Sequence, residues 1–313
     1  MLAGLFFGIA ACAIWGLIYV IPLFLPDYSP LLISAARYSI YGFACLFLVP
    51  LQWKELKRLS LKDWVLAFSL SFFGSIVYYC CLVVSVNLAG APVSGMLMCW
   101  IPVLVALVAN YQALRVGKGV AWKKIAIPLV FILVGIVIAN WTEFEYVVNQ
   151  QHSTAGNFWL GVAAGATSML LWTWYPIRNA RWLLDNKDKK PNVWATAQGL
   201  VILPFTVISY FVVTQFYLPE NFGPLGPTPT TFIICMLVAG ICCCWMAAAA
   251  WNEMSQRLPT ALAGQLIVFE TIFSVIYAML FRGEWPTMTM VVGMVVLITG
   301  VLVALRIFKD TEA

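Results

Sequence analysis

Long apolar runs, separated by short clusters of charge, proline and glycine, organise the whole chain. A helix needs about 20 mainly apolar residues to cross the hydrocarbon of a bilayer. With those clusters as breaks, that window predicts ten spans, at residues 2–24, 30–52, 64–88, 91–113, 124–142, 157–181, 192–217, 229–256, 260–281 and 287–307. The first run has no basic leader and is long enough to span, so it is read as the first helix and not as a cleavable signal.

Charge tests the count, because Lys and Arg accumulate on the cytoplasmic side of membrane proteins. With a cytoplasmic N-terminus, the inner loops hold sixteen of the eighteen basic residues: clusters at 54–62, 115–124 and 178–190, then Arg257, Arg306 and Lys309. Arg282 falls outside, and Arg37 lies within the second span. One span more or fewer scrambles this alternation. Ten helices with both termini cytoplasmic are therefore expected.

The spans also repeat. Gly4, Gly8 and Trp15 in the first have the spacing of Gly161, Gly165 and Trp172 in the sixth. Pro30 is followed seven residues later by Arg37, and Pro191 by Gln198. Two five-helix halves follow, 1–150 and 151–313. Five is odd, so the second half enters the membrane in the opposite sense, as an inverted-topology repeat. Such repeats place a substrate site near the midplane and suit alternating access. The glycine pairs, with Gly135, Gly293 and Gly300, are read as helix-packing positions.

Composition agrees with an all-α integral membrane protein. With 63% hydrophobic and 10% charged residues, 313 residues cannot form a soluble globule. The net charge of +5 reports topology and not nucleic-acid binding, since the basic residues fall between apolar runs. The nine cysteines lie mostly inside apolar stretches without metal-ligand spacing, so neither a metal nor another cofactor is expected. His152 sits in an outer loop with no nucleophile or acid at useful spacing. No phosphate loop or HExxH occurs, which argues against an enzyme and against direct ATP coupling. Asn140-Trp141-Thr142 fits a glycosylation sequon, but it adjoins the bilayer.

Residues 264–281 carry one acid, Glu270, near their centre. A carboxylate at the bilayer midplane costs roughly 2.5–3.5 kcal/mol unless it meets water, a partner or a ligand. Glu270 is thus a candidate proton carrier in a polar cavity, with Gln265 on the same span. It is alternatively the ligand of a cationic group, or a structural acid that is protonated between helices or paired with Arg37. Arg37, about 10 Å into its span at 1.5 Å per residue, is a structural or gating candidate that could equally snorkel to the interface.

Trp53, Trp64, Trp122, Trp141 and Trp285 suit the interfacial belts. Trp15, Tyr19, Tyr78, Tyr79, Trp100, Trp172, Tyr175 and Trp245 lie deep in the spans. Each alone reads more readily as core packing. As a set they favour a substrate with an apolar or cationic part. Phosphorylated substrates are disfavoured, because Arg37 alone among the basic residues lies clearly inside a span.

Several motifs follow one another in order: Trp15-Gly16; Pro30 with Arg37; 89–102, ending in Pro102; Trp251-Asn252 with Arg257; and 281–304, FRGEWPTMTMVVGMVVLITGVLVA. Together they resemble the ten-helix drug/metabolite transporter superfamily, EamA type, over essentially the whole chain. That resemblance implies a small-metabolite transporter, often an exporter, whose cavity is lined by spans one to four and six to nine, with five and ten peripheral. The chain departs from the pattern at 113–119, which lacks the glutamate that Glu284 supplies in the second half. It departs again where Glu270 takes the proline position kept as Pro102 in the fourth span. The function expected is secondary or facilitative export of amino acids or related amphipathic metabolites across the bacterial inner membrane. The alternatives are a proton-coupled extruder of cationic drugs or polyamines, and a non-transporting scaffold or receptor. The partners expected are a small-molecule substrate, the lipid bilayer and, as candidate coupling ion, the proton. The oligomeric state stays open, and a monomer would suffice.

Overall fold

The computed structural model describes residues 1–117, 119–139, 155–219, 222–283 and 285–312. Lys118, the 140–142 sequon with Trp141, His152 and Glu284 lie outside the described residues. Among the described residues every regular element is helical. Eight helical runs have the length and composition to cross a membrane: Leu2–Phe24, Pro30–Leu56, Leu61–Ala89, Val93–Arg115, Pro191–Phe216, Pro229–Ser255, Thr260–Phe281 and Met288–Phe308. Helices Trp122–Ala139 and Ala155–Asp185 occupy the positions of the fifth and sixth expected spans. Each helix below keeps the ordinal of its span. Phe47 and Leu51 on helix 2 are 82% and 84% exposed, an apolar surface that lipid would cover.

The chain groups into two compact units. One comprises Met1–Phe72, Trp182–Arg257 and Phe273–Arg282, the other Phe73–Arg181, Leu258–Ile272 and Gly283–Ala313. In the first unit helix 2 packs on helix 7, and helix 1 on the last part of helix 8. The helix 2–helix 7 crossing depends on paired glycines. Gly42 faces the Leu203 side chain and the Gly199 carbonyl, while Gly199 faces the Tyr41 ring and Cys45 Sγ. The Tyr41 hydroxyl donates to the Ala195 carbonyl beside them. A Cβ at position 199 would collide with Cys45 Sγ and come within 2.8 Å of the Tyr41 ring. Gly199→Ala is expected to cost about 1–3 kcal/mol through overpacking. A lower melting temperature of the purified protein in detergent would register it, and an unchanged one would contradict this account of the crossing.

Loops close each end of this unit. At one end, Arg58 bridges Glu55 at 3.0 Å and Asp188 at 3.2 Å, Lys190 meets Glu55 at 3.2 Å, and Lys189 meets Asp63 at 2.8 Å. Gln256 Nε2 donates to the Lys189 carbonyl at 3.1 Å. At the other end, the Tyr28 hydroxyl donates to the Leu225 carbonyl and accepts from the Thr228 N–H, both at 2.9 Å. Its ring stacks on Phe232 at 4.9 Å.

In the second unit helix 5 packs on helix 10, and helix 4 on the first part of helix 9. Gly135 lies against Leu297, and Gly300 against Phe131 and the Pro128 carbonyl. Helix 6 approaches helix 3 through Gly161, against the Ala89 backbone, and Gly165, against Ser85 Oγ. These are positions the spacing assigns to packing, and Gly4, Gly8 and Gly293 are buried as well. Helices 3 and 4 join through Gly90 at φ 93°, a backbone conformation that side chains rarely permit.

Several expected continuous spans are interrupted. Helix 1 tightens to a 3₁₀ turn over Leu17–Tyr19 ahead of Pro22, and helix 4 breaks at Cys99 and Trp100. Proline explains both: it lacks an N–H, and its ring crowds the carbonyl four residues back, which for Pro102 is that of Met98. Helix 3 widens to a π stretch over Phe72–Val77 and helix 8 over Val238–Met246, each with glycine as its third residue, Gly74 and Gly240. Helix 9 breaks at Ile267 with no proline nearby.

Candidate functional site

The interruptions collect most of the expected site residues. In the second unit Tyr78 follows the π stretch of helix 3 directly. Its ring stacks on Trp172 at 5.2 Å and 26°, and Trp172 stacks on Tyr175 at 5.2 Å and 6°. Ser168 Oγ donates to the Tyr78 carbonyl at 3.0 Å. Gly74 lets the Tyr175 ring lie directly on the π stretch, where a Cβ would be only 2.6 Å away. Behind the stack, Trp172 packs on a buried cluster of Ile101, Val105 and Ile177, together with Met98, Met169 and Ile267. All three rings remain half-buried, so the stack forms an aromatic wall with accessible surface. Tyr79 is also half-buried.

The breaks in helices 4 and 9 belong to the same unit. Trp100 sits at the first, 48% exposed. Pro102 is buried as the second residue of the resumed helix Ile101–Arg115, and Glu270 is the third residue of the resumed helix Val268–Arg282. Both therefore occupy a first turn. Negative charge is favoured there, because the first backbone N–H groups of a helix have no partner within it. Glu270 is half-buried, while Val268 and Ile272 beside it are buried. Gln265, on the shorter part of helix 9, is wholly buried: its Nε2 donates to the Ala261 carbonyl at 3.4 Å, and its Oε1 has no hydrogen-bond partner among the described residues. A buried amide oxygen left so costs about 1–3 kcal/mol, which a donor on a ligand would relieve.

The first unit holds Trp15, Tyr19, Arg37 and Trp245. Trp15 Nε1 donates to the Cys243 carbonyl in the π stretch of helix 8 at 2.9 Å, and its ring lies 5.2 Å from that of Trp251. Trp245 Nε1 donates to Thr196 Oγ1 at 2.9 Å. Arg37 is half-buried, its Nη2 donating to the Tyr38 hydroxyl at 3.2 Å. Gly240 brings the π stretch of helix 8 against the Arg37 carbonyl. Tyr19 is 56% exposed in the 3₁₀ turn. The structure thus joins Tyr78, Trp172 and Tyr175 in one stack and puts Tyr79, Trp100, Pro102, Gln265 and Glu270 in that same unit. Trp15, Arg37 and Trp245 gather along the other π stretch.

One cluster is not anticipated from the sequence. Asp63 accepts from Trp182 Nε1 at 2.7 Å, Lys189 Nζ at 2.8 Å, and the Ser60 N–H and Oγ at 2.8 and 2.9 Å. Trp182 in turn stacks on Trp194 at 3.6 Å. The local signal is Ser60-x-x-Asp63 ahead of an apolar run, the pattern of a helix capping box. Nothing local points to Lys189 or Trp182.

Membrane-length helices with polar groups at their interruptions define a polytopic membrane protein. Residues 2–141 match the EamA-like transporter family. Inner membrane protein YtfF of Escherichia coli (strain K12) is 37% identical over 309 residues, which cover 98% of this chain and 96% of that protein. A crystal structure of a protein 16% identical matches with a TM-score of 0.74 over 99% of each chain, a likeness of fold. The chain belongs to the EamA-like transporter family of the drug/metabolite transporter superfamily. It is a multi-pass inner membrane protein, and its family is one of transporters.

Proposed function

We propose that the protein is a secondary transporter that exports amino acids or related small amphipathic metabolites across the bacterial inner membrane by alternating access, with the proton as coupling ion. The observation that carries this reading is the Tyr78–Trp172–Tyr175 wall in the same unit as Gln265 and Glu270. An aromatic wall suits the apolar part of a substrate or the face of an ammonium. A buried amide and an acid suit its polar end. A scaffold needs neither.

The contacts within each unit support ten spans in two inverted halves, 1–150 and 151–313. Helices 2 and 7 hold the same position in their halves and pack on each other, as do 4 with 9 and 5 with 10. Helices 3 and 8 both carry π stretches. Topology finds support in the first unit. The 2–3 and 6–7 loops, both cytoplasmic in the charge reading, meet through Lys189–Asp63 and Arg58–Asp188. The 1–2 and 7–8 loops, both external, meet through Tyr28 and Leu225.

Export of lipophilic cations or polyamines, with Glu270 as their ligand, is the second reading. It is favoured by the same ring stack, because cations bind over aromatic faces. Expression in a sensitive host separates the two. Raised tolerance to toxic amino-acid analogues, lost about tenfold or more in Trp172→Ala at equal membrane abundance, is the expected result. Tolerance to lipophilic cations alone would overturn the amino-acid reading.

A further inference from the structure

Beside the ring stack, and sharing Ile177 with the cluster on which Trp172 packs, a cavity of about 250 Å³ opens between helices 4 and 6 of the second unit. None of Tyr78, Trp172, Tyr175, Gln265 and Glu270 lines it. Ile177 and Thr173 form its buried floor, and exposed Val108, Leu170 and Trp174 its walls. Arg178 and Arg181 stand at its head, in the last turn of the sixth expected span, and among the described residues no acid lines it. Arg181 has a contact of its own within the fold, whereas exposed Arg178 has no ion-pair partner among the described residues. The groove is therefore amphipathic in one direction: guanidinium groups at one end, then an aliphatic and indole lining along the helices.

We propose that this groove holds an anionic phospholipid, its phosphate at Arg178 and Arg181 and an acyl chain along Leu170, Trp174 and Val108. Charge complementarity selects the headgroup. A guanidinium can take two phosphate oxygens at once, and basic pockets between transmembrane helices on the cytoplasmic side are suited to anionic headgroups. Lipid is the occupant because the walls are exposed apolar side chains contiguous with the outside of the helices, and because the arginines fall at the level where a span ends. The proposal rests on the ten-span reading, in which that level is the cytoplasmic interface. It is independent of the substrate.

Delipidated protein is titrated with phosphatidylglycerol and with phosphatidylcholine of the same acyl chains, and bound lipid is counted by native mass spectrometry. The wild type is expected to prefer phosphatidylglycerol. Arg178→Ala should lower its affinity about fivefold, while Arg178→Lys keeps most of the preference. Equal phosphatidylglycerol binding by wild type and Arg178→Ala, or no preference in the wild type, overturns the proposal. A membrane-impermeant maleimide tests the topology separately. Labelling of Arg178→Cys above the wild-type background in inverted vesicles, and not in intact cells, is expected. Labelling from outside the cell would reject the topology, whatever the lipid result.

Discussion

Replacing Glu270 by glutamine is expected to flatten the pH dependence of flux between pH 5 and 8 in proteoliposomes, whereas wild-type flux varies severalfold across it. Glutamine keeps the size of the side chain and one acceptor oxygen but can neither ionise nor load and release a proton. The position suits that task. Glu270 opens a resumed helix, where backbone N–H groups favour the charged form, yet buried Val268 and Ile272 flank it and make a permanent charge costly. Alternation of access can then change how much water reaches the carboxyl group, and the proton follows. Identical profiles for wild type and variant would remove the proton role and leave Glu270 as a ligand or a structural acid.

The second large effect is on stability. Asp63→Ala is expected to cost about 3 kcal/mol or more, measured as a lowered melting temperature of the purified protein. The substitution deletes the Asp63 half of a capping box, the bonds its carboxylate accepts from Ser60, worth about 1 kcal/mol, and leaves the Lys189 ammonium and the Trp182 indole N–H without their acceptor. The Asp63 and Lys189 side chains are only 10% and 17% exposed, so water makes up little of that loss. Asp63→Asn keeps one acceptor oxygen, enough for either the indole or the Ser60 N–H but not both, and should lose less than Asp63→Ala. Arg58→Ala, which removes the exposed pair with Asp188 and the i,i+3 pair with Glu55 while Glu55 keeps Lys190, should cost about 1 kcal/mol or less. Equal melting temperatures for wild type and Asp63→Ala would show that the cluster does not tie the two loops together.

What the sequence makes legible follows from where the information resides. Hydrocarbon thickness sets span length, so the expected 260–281 agrees with Thr260–Phe281 and 2–24 with Leu2–Phe24. Gly161, Gly165, Gly135 and Gly300 are readable as packing positions because small residues at helix crossings have few other uses in a membrane. Their partners are not readable. Gly42 and Gly199, which make the helix 2–helix 7 crossing, carry no local mark that distinguishes them from other glycines.

The interruptions divide in the same way. Pro102 signals a discontinuity in its own span, and its structural consequence is the break at Cys99 and Trp100. The π stretch of helix 8 depends on tertiary partners. Its Cys243 carbonyl is met by Trp15, 228 residues away in sequence, and no periodicity in 238–246 foretells that. The candidate site shares this limit. The ring stack needs Tyr78 and Trp172 on neighbouring helices, and the sequence supplies the rings without the neighbour. Asp63 is readable as the capping-box partner of Ser60, whereas its ion pair with Lys189 spans 126 residues.

Counterflow of radiolabelled amino acids and lipophilic cations into liposomes containing the purified protein tests the central claim most directly. The account predicts that vesicles preloaded with an unlabelled amino acid accumulate the labelled one transiently above equilibrium, that Trp172→Ala and Glu270→Gln diminish this, and that protein-free liposomes show none. Failure of every amino acid to be exchanged, with accumulation confined to the cations or absent altogether, would contradict it.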